Sequence, residues 1–220
     1  GGVAAKWLAR PDAKVAGVFG SGWQAQGQIE ALAAVRRLER VKVFSRKADR
    51  LAAFCEKMRG RLGLDVVPAA TAEETVRGSD IVVTITTAAT PVFDGEWVEP
   101  GQHINAAGSN SLLRQEIDEA TVRKCSPIVV DSRPTAIKEA GDLLPALEKG
   151  RVHAGQFAEI GEVINGTRAG RTMPEQVTLF ESQGMAIQDL IIAAELANAD
   201  LETHARPRRV LLEDHRQHAI

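Results

Sequence analysis

The sequence predicts a doubly wound α/β fold of the Rossmann type, with a mostly parallel sheet and the remnant of a second, substrate-binding and dimerisation domain. Three observations predict it. An apolar run from Lys14 to Phe19 meets Gly20-Ser-Gly-Trp-Gln-Ala25 and opens directly into a helical pattern. Short apolar strands and helical stretches then alternate as far as Gly150, the rhythm of strands joined by crossover helices. That rhythm stops after Gly150, and the longest helical pattern comes last, from Met185 to about Ala199.

Val3 to Ala9 reads as the end of a helix, closed by Arg10-Pro11-Asp12, because the residue before a proline avoids helical geometry. Residues 1–12 are therefore the end of a helix entering from another domain. Lys14 to Phe19 is the first strand, and Gly20 to Ala25 fits G-x-G-x-x-A. Gly20 makes the tight turn, Gly22 admits close approach of a pyrophosphate, and the small Ala25 lets helix pack close to strand. Trp23 and Gln24 fall in the first helical turn, where unpaired N–H groups and the positive end of the helix dipole attract phosphate. Ala25, Gln28, Ile29, Leu32 and Val35 then recur at helical spacing, ending near Arg36-Arg37.

Val41 to Ser45 is the second strand, and its end selects the dinucleotide. A carboxylate there would accept from a ribose 2′-hydroxyl, whereas a 2′-phosphate needs donors and positive charge. The edge reads Ser45-Arg46-Lys47, with no carboxylate until Asp49. This favours NADP(H), with Arg46 pairing with phosphate and Ser45 donating; NAD is the alternative. The competing reading makes Arg46 and Lys47 a solvated helix start.

A helix from Arg50 to Met58 and a strand from Leu64 to Pro68 follow. Thr71-Ala-Glu-Glu74 is a capping box that starts a helix stopping at Gly78. Asp80 to Ile85 is uniformly apolar after its first residue, as a parallel strand covered on both faces must be. Thr86-Thr87 then falls where strand ends line the ligand crevice, and either reaches the cofactor or caps the turn toward Pro91. Gln102 to Ala106 is the fifth strand, and Ala107-Gly108-Ser109-Asn110 again reaches the crevice. A helix from Gln115 to Lys124, a strand from Pro127 to Asp131 and a helix from Thr135 to Lys149 complete the alternation. Glu139 and Asp142 are read as structural members of that last helix.

Beyond it, Glu159 to Ile164 is a short helix, Val177 to Phe180 a strand, and the tail from His204, with Arg206, Arg208, Arg209 and His215, a solvated end. The organisation is thus residues 1–12, a dinucleotide-binding domain over 13–176, and residues 177–220 belonging to the second domain. The apolar face of the last helix, with Ile187, Leu190, Ile191, Ala194 and Leu196, is expected to pack outside the nucleotide domain.

Composition narrows the function. The 220 residues are 44% hydrophobic, enough for a full core, and 27 Lys plus Arg against 29 Asp plus Glu give a net charge of −2. That balance excludes partners recognised by excess positive charge, such as nucleic acid or an anionic membrane. Cys55 and Cys125 show no C-x-x-C or metal-ligand spacing and read as buried reduced thiols, and no group of ligands suggests a metal. No apolar run reaches the ~20 residues of a membrane span, and no signal pattern opens the chain, so a cytoplasmic protein is expected. Tyrosine is absent, which removes tyrosine-based acid chemistry. The chain begins Gly1-Gly2-Val3 inside a helical pattern and reads as a fragment. His103 reads as a packed or exposed strand histidine.

The ordered motifs Gly20-Ser-Gly-Trp-Gln-Ala25, Ser45-Arg46, Gly78-Ser-Asp-Ile-Val-Val-Thr84, Pro100-Gly-Gln-His-Ile-Asn105, Arg114-Gln-Glu-Ile-Asp118, Val130-Asp-Ser132, Glu139-Ala-Gly-Asp-Leu143 and Thr178-Leu-Phe-Glu-Ser-Gln-Gly184 resemble the ornithine cyclodeaminase/μ-crystallin family. The likeness runs from about Val3 to Asp200. It implies a central Rossmann domain and a second domain, built from an N-terminal segment and the C-terminal helix, that dimerises and binds substrate. This chain then lacks most of that second domain, including a lysine and an arginine that hold the substrate's carboxylate.

The resemblance further implies hydride exchange between a nicotinamide and an amino acid or its imine, as in ketimine or pyrroline-2-carboxylate reductases and alanine dehydrogenases, by a homodimer when full length. It places the Ser182-Gln183-Gly184 turn near the nicotinamide, although Ser182 reads equally as an N-cap of the last helix. Cyclodeaminases carry a catalytic aspartate where this chain has Asn110, and an amide has no protonation equilibrium near neutral pH. Asn110 is thus the candidate catalytic residue for orienting substrate, and simple imine reduction is favoured over an NAD-dependent, ammonia-releasing ornithine cyclodeaminase. A crystallin-like NADPH binder without turnover is the third reading.

Overall fold

A computed structural model describes residues 1–205, with side chains described through Asn198. The chain divides into two compact units, Gly1–Gly184 and a second beginning at Met185.

The first unit carries eight strands: β1 (Val15–Phe19), β2 (Arg40–Phe44), β3 (Asp65–Pro68), β4 (Ile81–Thr84), β5 (His103–Ala106), β6 (Cys125–Val130), β7 (Ala158–Glu159) and β8 (Val177–Glu181). They form one sheet in the order β3-β2-β1-β4-β5-β8-β6-β7. Every adjacent pair is parallel, with Val18 of β1 in register with Val43 of β2 and Val83 of β4. The order reverses at β1, whose neighbours β2 and β4 lie on opposite sides. A crevice opens at the carboxyl ends of strands where such a reversal occurs.

Helices α1 (Gly2–Leu8), α2 (Trp23–Val35), α3 (Ala48–Leu62), α4 (Ala72–Val76), α5 (Glu119–Lys124), α6 (Arg133–Glu139), α7 (Leu144–Glu148) and α8 (Ile160–Ile164) complete this unit. Because side chains alternate across a strand, each strand feeds two apolar layers. Ala16, Val18, Val41 and Val43 pack with Ala25, Ile29, Leu32 of α2 and Leu51, Phe54, Met58 of α3. Phe19, Val82, Ile104, Val130 and Leu179 pack with Val76, Ile117, Val122, Ala136 and Leu143. All four residues of β4 are buried, which is why Ile81, Val82 and Val83 run unbroken, with Thr84 buried at the strand's carboxyl end.

Three expectations differ from the structure. The stretch read as one helix from Thr135 to Lys149 is two, α6 and α7, broken at Ala140–Leu143. Pro145 cannot continue a helix from the preceding turn, and a Cβ on Gly141 would lie 1.9 Å from the Arg114 carbonyl oxygen, so the backbone passes too close for regular helix. The helix read from Gln115 starts only at Glu119, because the Asp118 carboxylate caps it by accepting from Thr121 N–H at 2.7 Å. The strand at 177–181, assigned with the segment to 220, lies between β5 and β6 in the sheet, and the division between the units falls after Gly184. The expectation fails there because sheet order is a long-range property that strand pattern does not encode.

In the second unit α9 spans Ala186–Ala205, and Ile187, Leu190, Ile191 and Leu196 are exposed on it. The tail from His204, including Arg206, Arg208, Arg209 and His215, lies outside the described side chains.

At the amino edge of the sheet one guanidinium ties α1 to α2. Arg36 Nη2 donates to the carbonyls of Ala5 at 2.8 Å, Lys6 at 3.1 Å and Ala9 at 2.9 Å, and its Nε donates to Arg10 O at 2.9 Å. Ala5 O also accepts from Ala9 N–H at 3.1 Å and Arg10 O from Ala13 N–H at 3.2 Å, so the guanidinium is the added donor for Lys6 and Ala9. Arg36→Ala should lower unfolding stability by about 2 kcal/mol or more, read as a lowered midpoint in urea. Arg36→Lys should not rescue it, because a compact ammonium cannot fork among separated acceptors.

Candidate active site

The sequence and the fold meet at the β1–α2 turn. Gly20 adopts φ +114°, and a Cβ there would stand 2.5 Å from the Ile85 carbonyl oxygen, so this turn requires glycine. Gly22 is the N-cap of α2 and offers no side-chain cap; the first turn holds no acid, and nothing lies within 4 Å of where a Cβ would stand. The start of a 13-residue helix therefore faces open space with its N–H groups unpaired.

That space is a cavity of about 1360 Å³ over the strand reversal. Every residue singled out from the sequence lines it: Gly20, Gly22, Trp23, Gln24 and Ala25 at the turn, Ser45, Arg46 and Lys47 after β2, Thr86 and Thr87 after β4, Ala107 and Asn110 after β5, and Ser182 and Gly184 after β8. Gln183, between Ser182 and Gly184, lines it as well. Sequence reasoning missed Arg50, Arg61 and Arg114, which also line it. Arg50 lies one helical turn past Arg46, a spacing the sequence does show; Arg61 and Arg114 carry no comparable local signal.

At the β2 edge, Ser45 Oγ accepts from Lys47 N–H at 3.3 Å, while Arg46, Lys47 and Arg50 are exposed and form no ion pair among the described residues. Thr86 does both things its position allows: it lines the cavity, and its hydroxyl accepts from Ala88 N–H at 3.0 Å. Ser182 does not cap the last helix; its hydroxyl donates to Asp131 Oδ2 at 3.2 Å, and Gly184 N–H donates to the same oxygen at 2.6 Å. Asn110 is exposed and accepts from Arg114 Nη1 at 3.0 Å.

Behind the cavity wall lie buried acids that the sequence reading passed over or treated as plain helix residues. Glu139 is exposed, but Asp142 is buried in the break after α6, where its Oδ1 accepts from Glu116 N–H at 2.6 Å and Ile117 N–H at 3.0 Å. Glu181 at the end of β8 is fully buried, and its Oε1 accepts from Gln183 Nε2 at 2.8 Å. Burial pushes the Asp142 carboxyl up to about 7 and, with Asp142 as neighbour, holds Glu181 well above the usual carboxylate range. Asp142 Oδ2 and Glu181 Oε2 meet no donor among the described residues. Protonation therefore spares the site a pair of bare buried charges.

His103 is not part of the cavity. It is fully buried, with Nδ1 2.9 Å from Thr178 Oγ1 and Nε2 3.0 Å from Asn105 Oδ1, and burial pushes it down to about 3, so it is neutral. Cys55 and Cys125 are buried and free, burial raising both thiols. Among the described residues no cluster of three ligands could hold a metal ion, and no helix is long and apolar enough to cross a membrane.

The family model for the ornithine cyclodeaminase/mu-crystallin family matches residues 1–202. The chain belongs to that family. Among its relatives, a Δ1-pyrroline-2-carboxylate reductase of Bacillus cereus is 39% identical over 202 residues, covering 91% of this chain and 62% of the reductase. The structure of the Thermococcus litoralis Δ1-pyrroline-2-carboxylate reductase, solved with NADH and L-proline, superposes with a TM-score of 0.88 at 37% identity over 92% of this chain and 63% of that one. An archaeal alanine dehydrogenase dimer with bound NAD gives 0.85 at 37% identity, over 92% of this chain and 62% of that one. The chain thus spans about three fifths of the length of these ornithine cyclodeaminase/mu-crystallin family members.

The raised Asp142 carboxyl fixes the sign of a pH effect. Unfolded, it titrates near its ordinary 3.8; folded, it keeps its proton to about 7. Its contribution to stability is therefore full below about pH 4 and is lost as pH rises through about 7. The melting temperature should fall between pH 5 and pH 8, and Asp142→Asn, which keeps an acceptor for both N–H groups, should flatten that fall. An unchanged slope in the variant would show that Asp142 does not titrate there.

Proposed function

We propose that the protein binds NADP(H) in this cavity, in preference to NAD(H), and works as an oxidoreductase that interconverts a small amino or cyclic imino acid and its oxidised or reduced partner. The observation that carries this reading is the uncapped start of α2, open over the strand reversal and continuous with a cavity that ends at Asn110. The residues fit a dinucleotide: Gly22 leaves room for a pyrophosphate against the N–H groups of the first turn. Ser45, Arg46 and Lys47 would meet a ribose 2′-phosphate, and Thr86, Thr87, Ala107, Ser182 and Gly184 would border the nicotinamide. The relatives in hand carry NADH or NAD, and the absence of any carboxylate from Ser45 to Ala48 supports the phosphorylated form here.

When bound, the nicotinamide supplies or accepts the hydride. The chain supplies position. Arg114 holds the Asn110 carbonyl oxygen, which leaves the amide N–H groups to donate to a substrate oxygen or nitrogen. Asn110 cannot take a proton as a general base, so release of ammonia by cyclisation is disfavoured and a single hydride transfer favoured. The two free cysteines suit a reducing cytoplasm, and the alanine dehydrogenase dimer supports a homodimer for the full-length protein.

Titration with NADPH and NADH, following nicotinamide fluorescence, should show tighter binding of NADPH. Arg46→Ala should weaken NADPH about 10- to 100-fold, the loss expected of one charge-assisted contact, and leave NADH nearly unchanged. Tighter NADH binding in the parent chain would overturn the preference. Oxidation of NADPH by pyrroline-2-carboxylate, catalysed by the full-length gene product, separates the enzyme from a binder without turnover.

A further inference from the structure

We propose that Glu116, which does not touch the cavity, is a positioning residue that sets the nicotinamide end of it by clamping two strand-exit loops together. This rests on the dinucleotide reading of the site.

Glu116 is fully buried. Its Oε1 accepts from Thr86 N–H at 2.5 Å and its Oε2 from Gly108 N–H at 2.7 Å. Thr86 follows β4 and Gly108 follows β5, neighbouring strands of the sheet, and both residues line the cavity. One carboxylate therefore fixes the separation of two loops that face the same half of the ligand.

The clamp is itself held. Glu116 N–H donates to Asp142 Oδ1 at 2.6 Å, and its carbonyl accepts from Val92 N–H at 2.8 Å. Asp142 N–H donates to Ser109 Oγ at 3.0 Å, and that hydroxyl donates to Arg114 O at 2.9 Å, which closes the loop carrying Asn110 into a ring. The fit at Gly108 is tight: a Cβ would stand 2.4 Å from Glu116 Oε2 and 2.5 Å from Thr86 O.

Burial pushes the Glu116 carboxyl above its usual range, and the donors that both oxygens accept from act against that shift. No ion pair involves Glu116 among the described residues. A buried charge without a counter-ion is costly, and two loop amides that water would otherwise solvate do not require one. What the carboxylate adds is a fixed distance between the loops.

Binding of the two halves of the ligand separates this role from plain stability. In Glu116→Gln one acceptor remains and an NH2 group faces the other N–H. NADPH should bind about 10-fold or more weakly, while adenosine 2′,5′-bisphosphate, which reaches only the β1–α2 and β2 ends, should change less than about twofold. Gly108→Ala, which pushes the clamp from the other side, should give the same selective loss and serves if Glu116→Gln does not fold. Equal loss of both ligands, or loss of neither, overturns the assignment. A parent chain that binds neither ligand overturns the dinucleotide reading, and this inference with it.

Discussion

The carboxyl edge of this sheet depends on satisfying backbone N–H groups where strands end and loops begin. A main-chain donor shut away from water without a partner costs about as much as a lost hydrogen bond. Here the partners are carboxylates. Glu116 takes Thr86 and Gly108, Asp131 takes Ser132 at 2.8 Å and Gly184 at 2.6 Å, and Glu159 takes Arg133 at 2.8 Å. Four of the eight strand exits are tied down in this way. At the exit of β1 the pattern stops: α2 begins on Gly22 with no side-chain cap and no acid in its first turn. No carboxylate among the described residues takes the donors at this exit, and they face the cavity, the setting that suits an anion at a helix start.

This explains which parts of the site were legible in the sequence. The β1–α2 turn is local: strand, glycines and helix are contiguous, and the pattern shows in the sequence even though the carbonyl that crowds Gly20, that of Ile85, comes from a distant strand end. The β2 edge is local too, since Ser45, Arg46 and Lys47 follow one another directly after the strand and all three line the cavity. The strand exits at Thr86, Ala107 and Gly184 could be placed once the strands were recognised. Glu116, Asp131 and Asp142 could not be interpreted, because apart from Ser132 beside Asp131 their partners lie 8 to 53 positions away and nothing in their neighbourhoods separates a buried acceptor from a solvated acid. The order of motifs singled them out only as members of a resemblance.

The fold shows the same division. Elements with their own punctuation came through: the Thr71 cap accepts from Glu74 N–H at 3.0 Å, and Gly78 stops the helix. Where two signals compete, the apolar pattern alone misleads. Thr135 to Lys149 has helical spacing throughout, yet Pro145 and the close pass of Gly141 beneath Arg114 divide it, and Asp142 is buried because of that break. The misassigned β8 is a failure of another kind. Its pattern as a strand is clear, but insertion between β5 and β6 depends on pairing partners more than 45 residues away.

Charge distribution carries a final step that net charge hides. At −2 the chain as a whole neither attracts nor repels anions strongly. The cavity is different: Arg46, Lys47, Arg50, Arg61 and Arg114 line it against one acid, Glu30, which is paired with Arg61 at 3.0 Å. Four of those cations lie at the β2 edge or on α3, while Arg114 donates to Asn110 in the loop after β5. A recess lined by one sign of charge, with low-dielectric walls, concentrates ligands of the other sign. Among the buried acids behind the wall, burial and the neighbouring carboxyls raise Asp142 and Glu181, which favours their neutral forms. Net charge therefore says little about this recess, where five cations of the lining face a single acid that is already paired.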